Sequence, residues 1–167
     1  SETILDPIRM IKDDLEIALM RKSAELSDRC YRTAGEVIRE GATCFDVRQA
    51  CVDALLQGGA DAATLSATTA QHRLTKGDTL DFEPIPRICN YASETARCFF
   101  VGDPTRRERI IWNVIQTAFN ATLEVIRPGV TMHDIDLTFR NTFRDEMKPI
   151  DRNYIPSRKV GHGRGLR

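Results

Sequence analysis

The sequence predicts an α+β fold in which helices pack on an antiparallel-rich sheet. Two segments with helical periodicity open the chain, and two more follow residue 103. Between them, residues 61–100 are rich in β-branched and aromatic side chains, punctuated by Gly and Pro as strands are. With 167 residues the chain is long enough to bury a core, and we expect a single domain over residues 1–167.

The helices are delimited by capping signals. A capping box, in which a polar N-cap residue is followed three residues later by an acid, marks Asp13, Thr43 and Thr131. Glycine or proline follows each apolar-periodic segment and ends it. The first predicted helix covers residues 13–40 and the second begins at residue 43 and is stopped by Gly58 and Gly59. The third is opened at residues 103–104 and closed at 128–129, and the fourth runs from 131 to about 147. Trp112 and Phe119 recur at helical spacing and are expected in the core, and residues 158–167 are expected to form a loop and then a strand.

Composition excludes several classes of function. Lys+Arg and Asp+Glu both number 24, which favours neither nucleic acid nor a membrane as a partner. No apolar run is long enough to span a bilayer. The five cysteines are an odd number without a CxxC pair, a pattern typical of reduced thiols in a cytoplasmic protein.

Residues 80–100, LDFEPIPRICNYASETARCFF, predict a hairpin that carries acids on one face. With its centre between Ile88 and Cys89, Glu83 faces Glu94 directly, about 4.5–5.5 Å away at Cβ. Asp81 lies two residues before Glu83 and shares its face. Like charges at this spacing destabilise a sheet unless another group offsets them.

Three explanations of the paired acids stay open. A divalent cation would take their oxygens as ligands, or the two carboxyls would share one proton and act as an acid/base pair. Alternatively Arg87, Arg97 or a distant basic side chain would form ion pairs with them. Pro84 and Pro86 cannot donate to a ladder and predict an edge strand or a bulge at this point.

Several segments in the same order resemble the creatinase/aminopeptidase P/prolidase family. They are IRMIKDDLEIALMRKSAEL, KGDTLDFE, YASETARCFFVG, IRPGVTMHDID and GHGRGL. The resemblance implies the pita-bread fold, with helices on a curved antiparallel-rich sheet. It also implies that the chain is truncated at both ends, without an N-terminal domain and C-terminal strands.

Metal-dependent members of that family hold two divalent cations, and by position the resemblance assigns Glu83, Glu94 and His162 as ligands of Mn, Co or Zn. Both motif aspartates are glutamates here, and a longer side chain displaces a bound cation. We therefore expect an altered metal site, or a metal-free one in which a glutamate acts as base or nucleophile. The family's histidine position falls on Ser66, so His72 is the alternative base.

The resemblance further assigns Tyr91 and Arg97 to substrate binding, with an ion pair as the other role for Arg97. It implies hydrolysis of an amide-type C–N bond in a short peptide of Xaa-Pro type or in a small amino-acid-like solute, by a cytoplasmic homodimer. The alternative is a degenerate, non-catalytic domain that binds a peptide or a protein partner.

Overall fold

The computed structural model describes residues 2–66 and 71–153, and the chain divides at Asp103–Pro104 into two compact units. The helices and strands of the first unit are α1 (Glu2–Met10), α2 (Asp14–Val37), α3 (Cys44–Gln57), β1 (Ala62–Ser66), β2 (Thr79–Ile88), β3 (Tyr91–Ala92) and β4 (Arg97–Phe100). Those of the second are α4 (Arg106–Val125) and α5 (Met132–Met147). None of the helices in the described ranges is long and apolar enough to cross a membrane.

The four predicted helices are confirmed, and their capping boxes form as predicted at Asp13, Thr43 and Thr131. A fourth box, Thr105 with Glu108, opens α4 two residues after the expected start. Helix α1 was not predicted, because Pro7 lies inside it and a proline normally interrupts a helix interior. The expected C-terminal strand lies outside the described residues.

Strand β2 is the centre of the sheet. It pairs antiparallel with β1 along residues 83–87, with β4 along residues 79–82 and with β3 at residues 87 and 88. On the side opposite β1, the ladder is therefore interrupted between Phe82 and Arg87. Pro84 and Pro86 lie in this gap, where the missing N–H groups cost least. The prediction of an edge strand or a bulge at the two prolines was wrong, because β2 is paired on both sides and its register is continuous. The prolines are accommodated because the ladder opposite β1 is open at this point.

The core of the first unit lies between the sheet and helices α2 and α3. Its fully buried side chains include Leu55, Leu74, Leu80 and Phe82. Phe82 meets Phe99 in a T-shaped ring pair with centroids 5.9 Å apart. These contacts hold the buried face of β2 against the helices and leave its other face free for polar side chains.

The second unit has its own small core, formed by Val114, Ala118, Phe143 and Met147. The prediction that Trp112 and Phe119 belong to a core was wrong for this unit, since they are 38% and 44% exposed. The α4 stripe that packs against α5 carries Val114 and Ala118 instead.

Candidate functional site

The hairpin turn lies one residue later than the sequence suggested. Cys89 and Asn90 form the loop with positive φ of 47° and 68°, as a two-residue hairpin turn requires. Ile88 therefore pairs with Tyr91, and Phe82 with Arg97. The predicted direct pairing of Glu83 with Glu94 is wrong. Asn90 was the signal in the sequence for the position of this turn, because asparagine tolerates the left-handed backbone conformation.

The two glutamates nevertheless share a face of the sheet. Even-numbered residues of β2 are buried toward α2, whereas Asp81 is exposed and Glu83 is half-buried on the opposite face. Because Arg87 pairs with Ala92, even-numbered residues after the turn share that opposite face. Continuing the register places Glu83 beside Ala96 and diagonal to Glu94, and diagonal neighbours are about 7–8 Å apart, somewhat less between their Cβ atoms.

Alternate residues after the turn bind α2, and this contact directs Glu94 away from the helix. Tyr91 donates from its hydroxyl to Glu16 Oε1 at 2.6 Å. Two residues later, Ser93 Oγ lies 3.0 Å from Ser23 Oγ, and the Tyr31 hydroxyl donates to the Thr95 carbonyl at 2.6 Å. Side chains alternate along an extended segment, so the residue between two helix-facing neighbours projects the other way.

Glu94 occupies this position between Ser93 and Thr95. Glu94 as a whole is half-buried, and its Oε2 atom is buried. The carboxylate therefore lies in partly desolvated surroundings while its neighbours are anchored to α2.

Ser23, Ser27 and Ser93 form a buried hydroxyl cluster that the sequence analysis missed. Ser23 Oγ donates to the Pro86 carbonyl at 2.8 Å and accepts the Ser93 N–H at 2.8 Å. Ser27 Oγ lies 3.1 Å from Ser93 Oγ. All three serines are buried, Ser23 completely. The spacing of Ser23, Ser27 and Tyr31, four residues each, was a signal that polar groups line one stripe of α2.

The two residues assigned to substrate binding make contacts with α2. The Arg97 guanidinium lies over the Tyr31 ring, 5.2 Å from its centroid, in a cation–π contact. The hydrogen bond from Tyr91 holds the pKa of Glu16 below its usual value, and the same bond raises the pKa of Tyr91. Burial raises the pKa of Tyr31. The substrate-binding roles of Arg97 and Tyr91 remain predictions.

His72 lies in a separate exposed loop of the first unit. Its Nε2 is 2.7 Å from Asp78 Oδ2, which also accepts the Thr75 N–H at 2.8 Å. The Thr75 N–H and then His72 hold the pKa of Asp78 below its usual value. His72, Asp78 and Cys44 line a cavity of about 490 Å³. The catalytic role of His72 remains a prediction.

Ser66, the position at which the resemblance expects a histidine, lies nearer to Glu83 than the loop of His72 does in the strand pairing. Ser66 in β1 is the cross-strand partner of Glu83. The third assigned ligand, His162, lies outside the described residues.

The donor chemistry of the two glutamates suits a hard divalent cation, because carboxylate oxygens on one half-buried face are its preferred ligands. Within residues 2–66 and 71–153, His, Cys, Asp and Glu side chains form no group of three that could hold a metal ion. Two of the three assigned ligands, Glu83 and Glu94, lie in the described part of the chain, and their role as ligands remains a prediction.

Comparisons with known proteins show the family and the fold of this chain. The model of metallopeptidase family M24 matches residues 18–167. An uncharacterized peptidase of Staphylococcus aureus (strain USA300) is 28% identical over 172 residues, covering 95% of this chain and 48% of its own length. The chain spans about half the length of the curated relatives that it matches.

Solved structures confirm the predicted pita-bread fold. The dipeptidase PepE from Mycobacterium ulcerans superposes with a TM-score of 0.85 at 23% identity, covering 99% of this chain and 47% of that one. An Xaa-Pro dipeptidase from Bacillus anthracis gives a TM-score of 0.85 at 20% identity, over 97% and 48% of the two chains.

Proposed function

Because the chain belongs to metallopeptidase family M24, we propose that it forms part of a hydrolase for the amide-type C–N bond of a short peptide, Xaa-Pro dipeptides being the first candidates. Glu83 and Glu94 are its proposed catalytic pair. The observation that supports this proposal is their common face, opposite α2, at the gap in the β2 ladder. The names of the dipeptidases with the same fold support the substrate class.

In the metal-dependent form of the proposal, Glu83, Glu94 and His162 hold the divalent cations. Bound there, such cations would supply an activated water and polarise the scissile carbonyl. The protein's own contribution is geometric. Phe82 packed in the core fixes the outward direction of Glu83, and the anchored neighbours of Glu94 fix that of the second carboxylate.

In the metal-free form, one of the glutamates removes a proton from the attacking water. A carboxylate suits this role when it is partly desolvated and held within reach of the water. Glu94, with its buried Oε2, is the proposed base. The replacement of both motif aspartates by glutamates supports this form, because each glutamate carries its oxygens one methylene further from the strand. Small amino-acid-like solutes then become candidate substrates alongside dipeptides.

The test compares the purified whole protein that contains this chain with its Glu83→Gln and Glu94→Gln variants, using Glu25→Gln as a control at an exposed acid of α2. Bound metal is measured by elemental analysis, and hydrolysis of Xaa-Pro dipeptides and of small amidic solutes is followed with and without added Mn²⁺. We expect each site variant to lower kcat at least about a hundredfold, the scale of a lost acid–base group, and the control to match wild type.

Turnover that Mn²⁺ stimulates supports the metal-dependent form, and turnover that chelation leaves unchanged supports the metal-free form. If the folded whole protein that contains this chain turns over none of these substrates, the hydrolase is refuted and the alternative is left, a domain that binds a peptide or protein partner. The 167-residue chain by itself is expected to be inactive, because it spans about half the length of its relatives. Glu94→Asp is a further discriminating variant, because shortening the side chain should strengthen Mn²⁺ binding only in the metal-dependent form.

We also propose that the protein acts as a homodimer in the cytoplasm, as the family resemblance implies. Sedimentation velocity at micromolar concentration tests this assembly, and a monomer throughout would refute it.

A further inference from the structure

The segment that carries Glu94 is held by a helix where a strand ladder is missing. Residues 93–96 lie between β3 and β4 and belong to neither strand. Opposite them, Pro84 and Pro86 leave β2 without two N–H donors. A segment between two strands without ladder bonds would normally be mobile, because its backbone groups would turn to water.

Helix α2 supplies the missing bonds. The Pro86 carbonyl, which β3 and β4 leave available, accepts from Ser23 Oγ at 2.8 Å. The Ser93 N–H donates to Ser23 Oγ at 2.8 Å. A single serine hydroxyl thus bridges β2 and the segment that carries Glu94, at a completely buried position.

Every hydroxyl in the hydroxyl cluster has a hydrogen-bond partner. Ser23 Oγ lies in donor geometry to both the Pro86 carbonyl and Ser93 Oγ, which share its single proton. The proton between Ser27 and Ser93 can come from either hydroxyl. The chain of bonds ends on a carbonyl, and each buried oxygen has a partner.

The other side of Glu94 is fixed by Tyr31. Its hydroxyl donates to the Thr95 carbonyl at 2.6 Å and lies 2.8 Å from Thr95 Oγ1. The Tyr31 ring is held in turn by Phe99, with centroids 6.4 Å apart, and by Arg97. The residues before and after Glu94 are therefore both anchored on α2, by Ser23 and Tyr31, which are eight residues apart, or about two helical turns.

We propose that Ser23 and Tyr31 are positioning residues for Glu94, holding its segment in place of a strand ladder so that the carboxylate faces Glu83. The inference rests on the proposed function for its catalytic consequence, but the anchoring itself can be measured separately. Neither hydroxyl touches the substrate in this proposal, so their loss should affect the chemical step more than substrate binding.

The test uses Ser23→Ala and Tyr31→Phe, which remove one hydroxyl each and keep the remaining side chain. The matched control is Thr122→Val in the second unit, which removes a buried hydroxyl that donates to the Ala118 carbonyl at 2.7 Å. Amide hydrogen exchange of residues 93–96 is measured in all three variants. We expect Ser23→Ala to speed exchange at Ser93 at least about tenfold, since its N–H loses a buried acceptor, with the control unchanged there.

Kinetics on the best Xaa-Pro dipeptide provide the second readout. We expect Ser23→Ala and Tyr31→Phe to lower kcat about tenfold or more with KM within about threefold of wild type, and the control to retain wild-type values. Exchange at residues 93–96 that stays at the wild-type rate, or a fall in kcat no larger than that of the control, would overturn the inference.

The two proposals fail in different ways. If the wild-type protein hydrolyses nothing, the proposed function is lost, and the exchange rates alone decide whether Ser23 and Tyr31 hold the segment around Glu94. If wild type is active and both variants exchange and turn over normally, only the positioning role is lost.

Discussion

Phe82 should be among the most costly side chains to truncate, because it fixes β2 between the core and the candidate site. The residue is 1% exposed and pairs edge-to-face with Phe99. Phe82→Ala should lower the free energy of unfolding by about 3–5 kcal/mol, the range for deleting a buried aromatic ring. Of this loss, about 0.5–1.5 kcal/mol is the ring pair itself.

Phe45→Ala is the matched control within the same unit, since Phe45 is 55% exposed. We expect it to change the free energy of unfolding by less than about 0.5 kcal/mol, as surface substitutions usually do. Phe82→Leu, which keeps most of the apolar volume, should fall between the two.

Urea unfolding followed by far-UV circular dichroism gives the free energies, and amide exchange in α2 and α3 assigns the loss to the first unit. The single tryptophan, Trp112, lies in the second unit and would report on the wrong transition. For an m-value of about 2 kcal/mol/M, Phe82→Ala should lower the urea midpoint by roughly 2 M. Equal losses for Phe82→Ala and Phe45→Ala would refute the assignment of Phe82 to the core.

Two further predictions follow from charge and exposure. The Thr131 hydroxyl and N–H hold the pKa of Asp134 below its usual value. The ionised carboxylate therefore stabilises the folded state above about pH 4. This contribution is lost as the pH falls through the lowered pKa. Thr131→Ala should flatten the acid limb of the stability–pH curve between about pH 5 and 2, and an unchanged limb would contradict the capping assignment. Among the thiols, exposed Cys89 should react first with an alkylating reagent in the native protein, whereas Cys30 and Cys51 should react only after unfolding. The Cys51 thiol beside it and burial raise the pKa of Cys30, so mass spectrometry that finds Cys30 labelled as early as Cys89 would be inconsistent with the described packing.

Local signals in the sequence were sufficient for most helices. A capping box uses residues only three positions apart, so Asp13, Thr43 and Thr131 marked helix starts without any knowledge of the fold. Pro7 shows the limit of such rules, because a proline usually ends a helix and α1 forms around one. The exposure of Trp112 and Phe119 could not be predicted either, since burial depends on which neighbouring element covers each face of the helix.

The sequence by itself determined that Asp81 and Glu83 would share one face of their strand, and Ala92 and Glu94 one face of the returning segment, because alternation along a strand is a local property with a period of two residues. Only the tertiary structure decided their register, because a two-residue turn at Cys89 and Asn90 shifts the pairing of the whole hairpin. It also decided what holds Glu94 in place. Ser23 and Ser93 are 70 residues apart, and no local pattern predicts that their hydroxyls meet where two prolines interrupt a ladder.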